Sequence, residues 1–122
     1  MNPRTVADRV SEALHAGPTK GADTVVEAVA DGRMVRIGLW AGAAGRVRRA
    51  RFRATTCPAL IAYADLACEL LESGEAPERI DAARLRDALP GVHPVHHDRA
   101  ELVGRAMALA PRWRGTPGGE AA

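Results

Sequence analysis

The stretch from Cys57-Pro58 to Glu72 constrains the fold most, because it is apolar almost all the way round the helical period. Only Asp65, Glu69 and Glu72 interrupt it, and at helical spacing they form one narrow stripe. A helix of that kind must be enclosed on nearly every side, so the spacing predicts a central helix over residues 57–72 and asks the rest of the chain to cover it. Aromatic residues make up only 3% of the sequence, so the covering core must be built from Ala, Val, Leu and Ile in close contact rather than from large rings.

What precedes the helix reads as a sheet. From Thr24 to Ala30 and from Met34 to Trp40, β-branched and apolar residues alternate with others, and Asp31-Gly32 between the runs is a tight-turn signal. A third strand is expected over 45–55, with Ala50, Phe52 and Ala54 facing the core and Arg49, Arg51 and Arg53 facing water. Val47 is out of phase with that alternation, which predicts a bulge near Arg48-Arg49. A first helix is expected over 5–16, started by a capping-box pair at Thr5 and Asp8, lined by Val6, Val10 and Leu14, and stopped by Gly17-Pro18.

Downstream, 73–77 reads as a loop, 81–89 as a short helix stopped by Pro90-Gly91, and 98–110 as a last helix with Leu102, Val103, Ala106, Met107 and Leu109 on one side. The Gly/Pro-rich tail 115–122 is expected to be disordered, leaving one domain over 1–114. The order predicts an α+β fold, a small three-stranded antiparallel sheet with helices packed on one face.

Hydrophobic content of 47% against 26% charged residues is that of a globular domain, not a disordered chain. No apolar run reaches membrane-spanning length, and Met1-Asn2-Pro3-Arg4 lacks a signal-peptide pattern, so no membrane and a cytoplasmic setting are expected. Two cysteines do not make a disulfide framework, which agrees with a reducing compartment. The arginines of 46–53 invite a nucleic-acid reading, but no stacking aromatics are interleaved with them, so a solvated face or a dock for an acidic protein is expected and no nucleic acid.

Cys57 stands where strand gives way to helix, with Pro58 suited to the first helical position. There the unpaired backbone N–H groups and the helix dipole stabilise a thiolate and raise both its nucleophilicity and its metal affinity; the competing reading is a small buried residue beside a Thr56 cap. Cys68 would lie about 16 Å further along the same helix, too far to share a metal or a disulfide with Cys57, and reads as core filler. His93, His96 and His97 cluster before the last helix in no standard zinc spacing. Phosphate loops, a nucleophile elbow and a His-Glu-x-x-His helix are all missing from the sequence, so an enzyme is not expected.

Beside these readings, the run Gly45-Arg46-Val47-Arg48-Arg49-Ala50-Arg51-Phe52-Arg53-Ala54-Thr55-Thr56-Cys57, with Ile61-Ala62 after it, resembles without a gap the third strand and central helix of the IscU/NifU-type iron–sulfur cluster scaffolds. Leu89-Pro90-Gly91-Val92-His93-Pro94-Val95-His96, with Ala100-Glu101 at the same offset, resembles their downstream motif, and Ala30-Asp31-Gly32-Arg33 their Ala-Cys-Gly-Asp turn. The resemblance extends over nearly the whole ordered chain and implies the same α+β fold. It matches the family's middle ligand cysteine to Cys57, the first to Asp31 and the third to His96, while Arg33 stands where the family has an Asp.

The resemblance thus implies a divergent assembly scaffold that binds a metal or cluster, iron–sulfur or zinc, through Asp31, Cys57 and His96, with His97 as a further candidate. By the same resemblance its partner is a cysteine desulfurase or another iron–sulfur assembly protein, although an imidazole at His96 cannot accept persulfide sulfur. The alternative is a metal-free interaction or regulatory module that retains the scaffold fold.

Overall fold

A computed structural model describes residues 4–111, and the expected disorder of 115–122 lies outside them, as do residues 1–3. Three strands, β1 (Thr24–Ala30), β2 (Arg33–Ala41) and β3 (Val47–Ala54), form an antiparallel sheet in the order β1-β2-β3. Four helices surround its inner face: α1 (Val6–Ser11), α2 (Pro58–Glu72), α3 (Ala82–Ala88) and α4 (Asp98–Ala108). This is the α+β arrangement expected from the sequence. Among the described residues, no helix is long and apolar enough to cross a membrane.

The hairpin closes as the Asp-Gly pair dictates. Asp31 and Gly32 have φ of 52° and 75°, the paired positive values that match a two-residue turn to the twist of its strands. The turn fixes the register Ala30↔Arg33 through Thr24↔Leu39, which sends Val26, Ala28, Val35, Ile37 and Leu39 to the inner face. On β3, Ile37↔Phe52 and Leu39↔Ala50 continue the pattern until Trp40↔Arg49 is followed by Ala41↔Val47. Arg48 is the extra residue of a bulge, and the shift returns Val47 to the core at 4% exposure.

Helix α2 is the centre of the molecule. Pro58 occupies its first turn, where a missing N–H costs nothing, and eleven of its residues are buried. Ala59, Ala62, Ala64 and Ala67 let the helix lie close to its neighbours, chiefly β3, α1 and α4, while Leu60, Tyr63 and Leu71 are its largest fully buried apolar side chains. Helix α4 packs Leu102, Val103, Ala106 and Met107 inward under β1 and β2. Gly104 is required by the contact with α3, since a Cβ there would lie 2.9 Å from the Ala82 nitrogen.

Three details differ from the sequence reading. The last helix stops at Ala108, and Leu109, at its C-cap, is 62% exposed rather than in the core. The third strand starts at Val47, because Ala43–Gly45 forms a 3-10 turn. The first helix has the expected capping box, Thr5 Oγ1 accepting from Asp8 N–H and Asp8 accepting from Thr5 N–H, but it ends at Ser11. Val10 and Leu14 are exposed, and it is Arg9 that is buried, at 3% exposure.

Charge explains the rotation of α1. Asp65 on α2 is wholly buried and accepts from Arg9 Nη1 at 2.7 Å, from Arg4 Nη1 at 3.4 Å and from the His15 N–H at 3.0 Å. A buried carboxylate without such donors is far more costly than two exposed aliphatics, so the electrostatic demand of α2 overrides the apolar stripe of α1. After α1 the chain runs along the outer edge of β3, where Phe52 N–H donates to His15 C=O at 2.9 Å and Gly17 N–H donates to Phe52 C=O at 3.1 Å. It then crosses the outer sheet face over Gly38, whose missing Cβ leaves room for Thr19 and Ala22.

Candidate functional site

The end of the sheet that carries the Asp31-Gly32 turn is where chemistry-bearing side chains gather. β3 ends at Ala54, and three residues later Cys57 caps α2 in an extended conformation, φ −150° and ψ 115°. The N-terminus of α4 brings Arg99 to the same place, and the first residue of β2 contributes Arg33. Asp31, Arg33, Asp98, Arg99, Glu101 and Arg105 border a cavity of about 100 Å³ there.

The surroundings of Cys57 favour its thiolate. Burial alone raises the thiol's pKa, but the Leu60 N–H in the first helical turn, the Arg99 guanidinium and the Arg33 guanidinium outweigh it and hold the value below that of an ordinary cysteine. Cys57 is partly exposed, so the sulfur is within reach of solvent. Cys68 is its opposite: completely buried in α2, it is pushed well up, first by desolvation and then by the nearby charges of Asp65 and Glu72. Both thiols are free.

The histidines do not share this arrangement. His96 is exposed on the 3-10 turn Pro94–His96, and its ring meets that of His93 edge-on with centroids 6.4 Å apart. His93 caps the same turn, its Nδ1 accepting from Val95 N–H at 3.1 Å. His97 places Nε2 3.1 Å from the Val92 carbonyl and borders a different cleft, with Arg86 and Asp87. Asp31 borders the cavity beside Cys57's two arginines, whereas His96 and His97 are not among its walls. Among the described residues, no three His, Cys, Asp or Glu side chains are grouped so as to hold a metal ion.

The donor set next to Cys57 does not fit a cluster or a zinc ion. Two guanidinium groups approach the sulfur, and a cation placed there would meet both positive charges without the further thiolate or imidazole ligands that such a centre requires.

Arg99 carries much of this environment and went unread in the sequence, where nothing local ties it to a cysteine far upstream. Its side chain is only 11% exposed. The arginine strand is as expected at Phe52, inward at 2% exposure, and at Arg49 and Arg53, both exposed, but Arg51, expected to face water, is half-buried, its Nη1 donating to Glu72 Oε2 at 2.8 Å. Arg49 lies 5.0 Å over the ring of Trp40, so this indole is already stacked. No protein-family model matches the chain, and no curated protein matches it.

Proposed function

We propose that this protein is a metal-free interaction or regulatory module with a fold like that of the iron–sulfur assembly scaffolds, and not an enzyme. One observation carries the choice over metal carriage: the thiol that the resemblance equates with a cluster ligand is flanked by Arg33 and Arg99. Guanidinium groups stabilise the Cys57 thiolate in place of a metal, and they oppose a second cation at the same sulfur. The exposed turn that holds His96 and the separate cleft beside His97 support the same reading. In this reading the arginine-flanked end of the sheet is the surface offered to a partner, which the resemblance makes a cysteine desulfurase or another assembly protein in the cytoplasm.

Metal analysis of untagged protein after anaerobic loading, with ferrous iron plus sulfide or with zinc, tests the reading. The expected result is substoichiometric metal that Cys57→Ala does not change. One equivalent per chain, lost in Cys57→Ala, overturns it in favour of carriage through Asp31, Cys57 and His96.

A further inference from the structure

His15 is held in a way that the candidate site does not use. Its imidazole is nearly buried, with Nδ1 3.1 Å from Asp65 Oδ1 and Nε2 3.2 Å from Glu72 Oε1. A neutral imidazole has one N–H, so it can donate to only one of two carboxylates and must turn a lone pair toward the other. An imidazolium donates to both. The same residue's backbone joins the outer edge of β3: its C=O accepts from Phe52 N–H, and two residues on, Gly17 N–H donates to Phe52 C=O. Ala16 and Phe52 form the parallel bridge between these bonds. The charge on one ring therefore bears on whether residues 13–17 cover that edge.

We propose that His15 is a proton-controlled latch: as an imidazolium clamped between Asp65 and Glu72 it holds residues 13–17 against the edge of β3, and loss of one ring proton frees them and uncovers Phe52.

Among the described residues, the charged groups facing the ring support a latch confined to this segment. From α2 come Asp65 and Glu72, with the Cys68 thiol behind them. From α1 and the residue before its cap come Arg9 and Arg4, both on Asp65, and Arg9 also reaches Glu69 at 2.9 Å. From β3 comes Arg51, 2.8 Å from Glu72 Oε2, whose carboxylate also accepts from Ala50 N–H. Arg9 and Arg4 keep their contacts with Asp65 when His15 neutralises, so α1 remains anchored, whereas 13–17 keep the His15 N–H bond to Asp65 but lose one of the two ring bonds.

The direction of the pH dependence follows. The hydrogen bond to Asp65 comes first among the influences on His15 and raises its pKa; burial opposes it, and the charges of Asp65 and Glu72 add to it. A raised value in the folded state means that the latch is closed below the ordinary histidine value of about 6.5 and opens as pH rises through the higher folded value. At the acid end Asp65 and Glu72 must remain ionised. Burial works to raise both carboxyls, but their hydrogen bonds and cationic neighbours leave them below the ordinary range, so the closed window extends well into acid.

Amide hydrogen exchange of the whole chain, corrected for the intrinsic rate and followed from about pH 6 to pH 9, tests the latch against the ring's titration. Protection at Gly17 and Phe52 is expected to fall about tenfold or more on loss of the charge-assisted bonds, while the amides of β2 keep theirs. In Glu72→Gln the side chain still offers an oxygen to Nε2 but one of the two charges is gone, so the midpoint of the fall should move to lower pH. Flat protection at Gly17 and Phe52, a parallel loss throughout β2, or an unmoved midpoint in Glu72→Gln would each overturn the proposal: the first is the result for a merely structural histidine, the second for opening of the whole sheet, and the third for a ring whose charge Glu72 does not hold.

Discussion

Replacing Asp65 by Asn tests the idea that one buried carboxylate, rather than an apolar stripe, orients the first helix. In the native protein the carboxylate has no exposed surface and collects Arg9 Nη1 at 2.7 Å, the His15 N–H at 3.0 Å, His15 Nδ1 at 3.1 Å and Arg4 Nη1 at 3.4 Å. An asparagine oxygen can still accept from the His15 amide, but the neutral group leaves the Arg9 guanidinium, 3% exposed, with only Glu69 as counter-charge. Breaking a buried pair from one side costs about 3–5 kcal/mol, and the remaining Arg9–Glu69 contact should hold the loss near about 3. Urea unfolding at neutral pH reads the difference directly. Removing both charges together, as Arg9→Met with Asp65→Leu, should recover most of that loss, because no ion is then buried alone. The carboxyl is held below its ordinary pKa against the opposing effect of burial, so its stabilising share is complete above about pH 3.9 and disappears as pH falls through the lower folded value. The variant should therefore lack that part of the acid dependence. A cost below about 1 kcal/mol, the worth of an exposed ion pair, would refute the reasoning.

Two further outcomes are expected. Alkylation of the native protein should modify Cys57 first and Cys68 only on unfolding, and Arg99→Ala should move the pH profile of Cys57 upward; early labelling of Cys68 would refute the contrast drawn from burial and charge. Gly104→Ala should destabilise by about 1–3 kcal/mol in thermal or urea unfolding, because its Cβ would press on the backbone of Asp81 and Ala82, and an unchanged transition would show that α3 and α4 separate freely.

The features legible in the sequence are those that neighbouring residues determine. Asp31-Gly32 announces the hairpin because few other pairs take two positive φ values, and the misplaced phase of Val47 announces the bulge because a strand has a period of two. The apolar circumference of α2 states its own burial. The face of α1 is different: Val6, Val10 and Leu14 have the right spacing for a core stripe, but the winning contact is Arg9 with Asp65, 56 residues away. The acidic stripe on α2 was the available signal, since carboxylates on so apolar a helix require cations, and Arg4, Arg9 and His15 stand in the segment that supplies them. Cys57's thiolate-favouring position was readable from the helix cap, whereas Arg99's part in it depends on how α4 docks, which no local pattern records.

The Arg9–Asp65 contact also imposes an order of events on a growing chain. Arg9 is made 56 residues before the carboxylate that buries it, an interval of about 3–11 s at about 5–20 residues per second. Throughout that time the early segment has no docking surface, while the β1-β2 hairpin, closed by its own turn, can already form. An arginine waits in water without harm where a large apolar residue would seek other company. Anchoring the front of the chain by charge therefore leaves it soluble until the central helix exists to receive it.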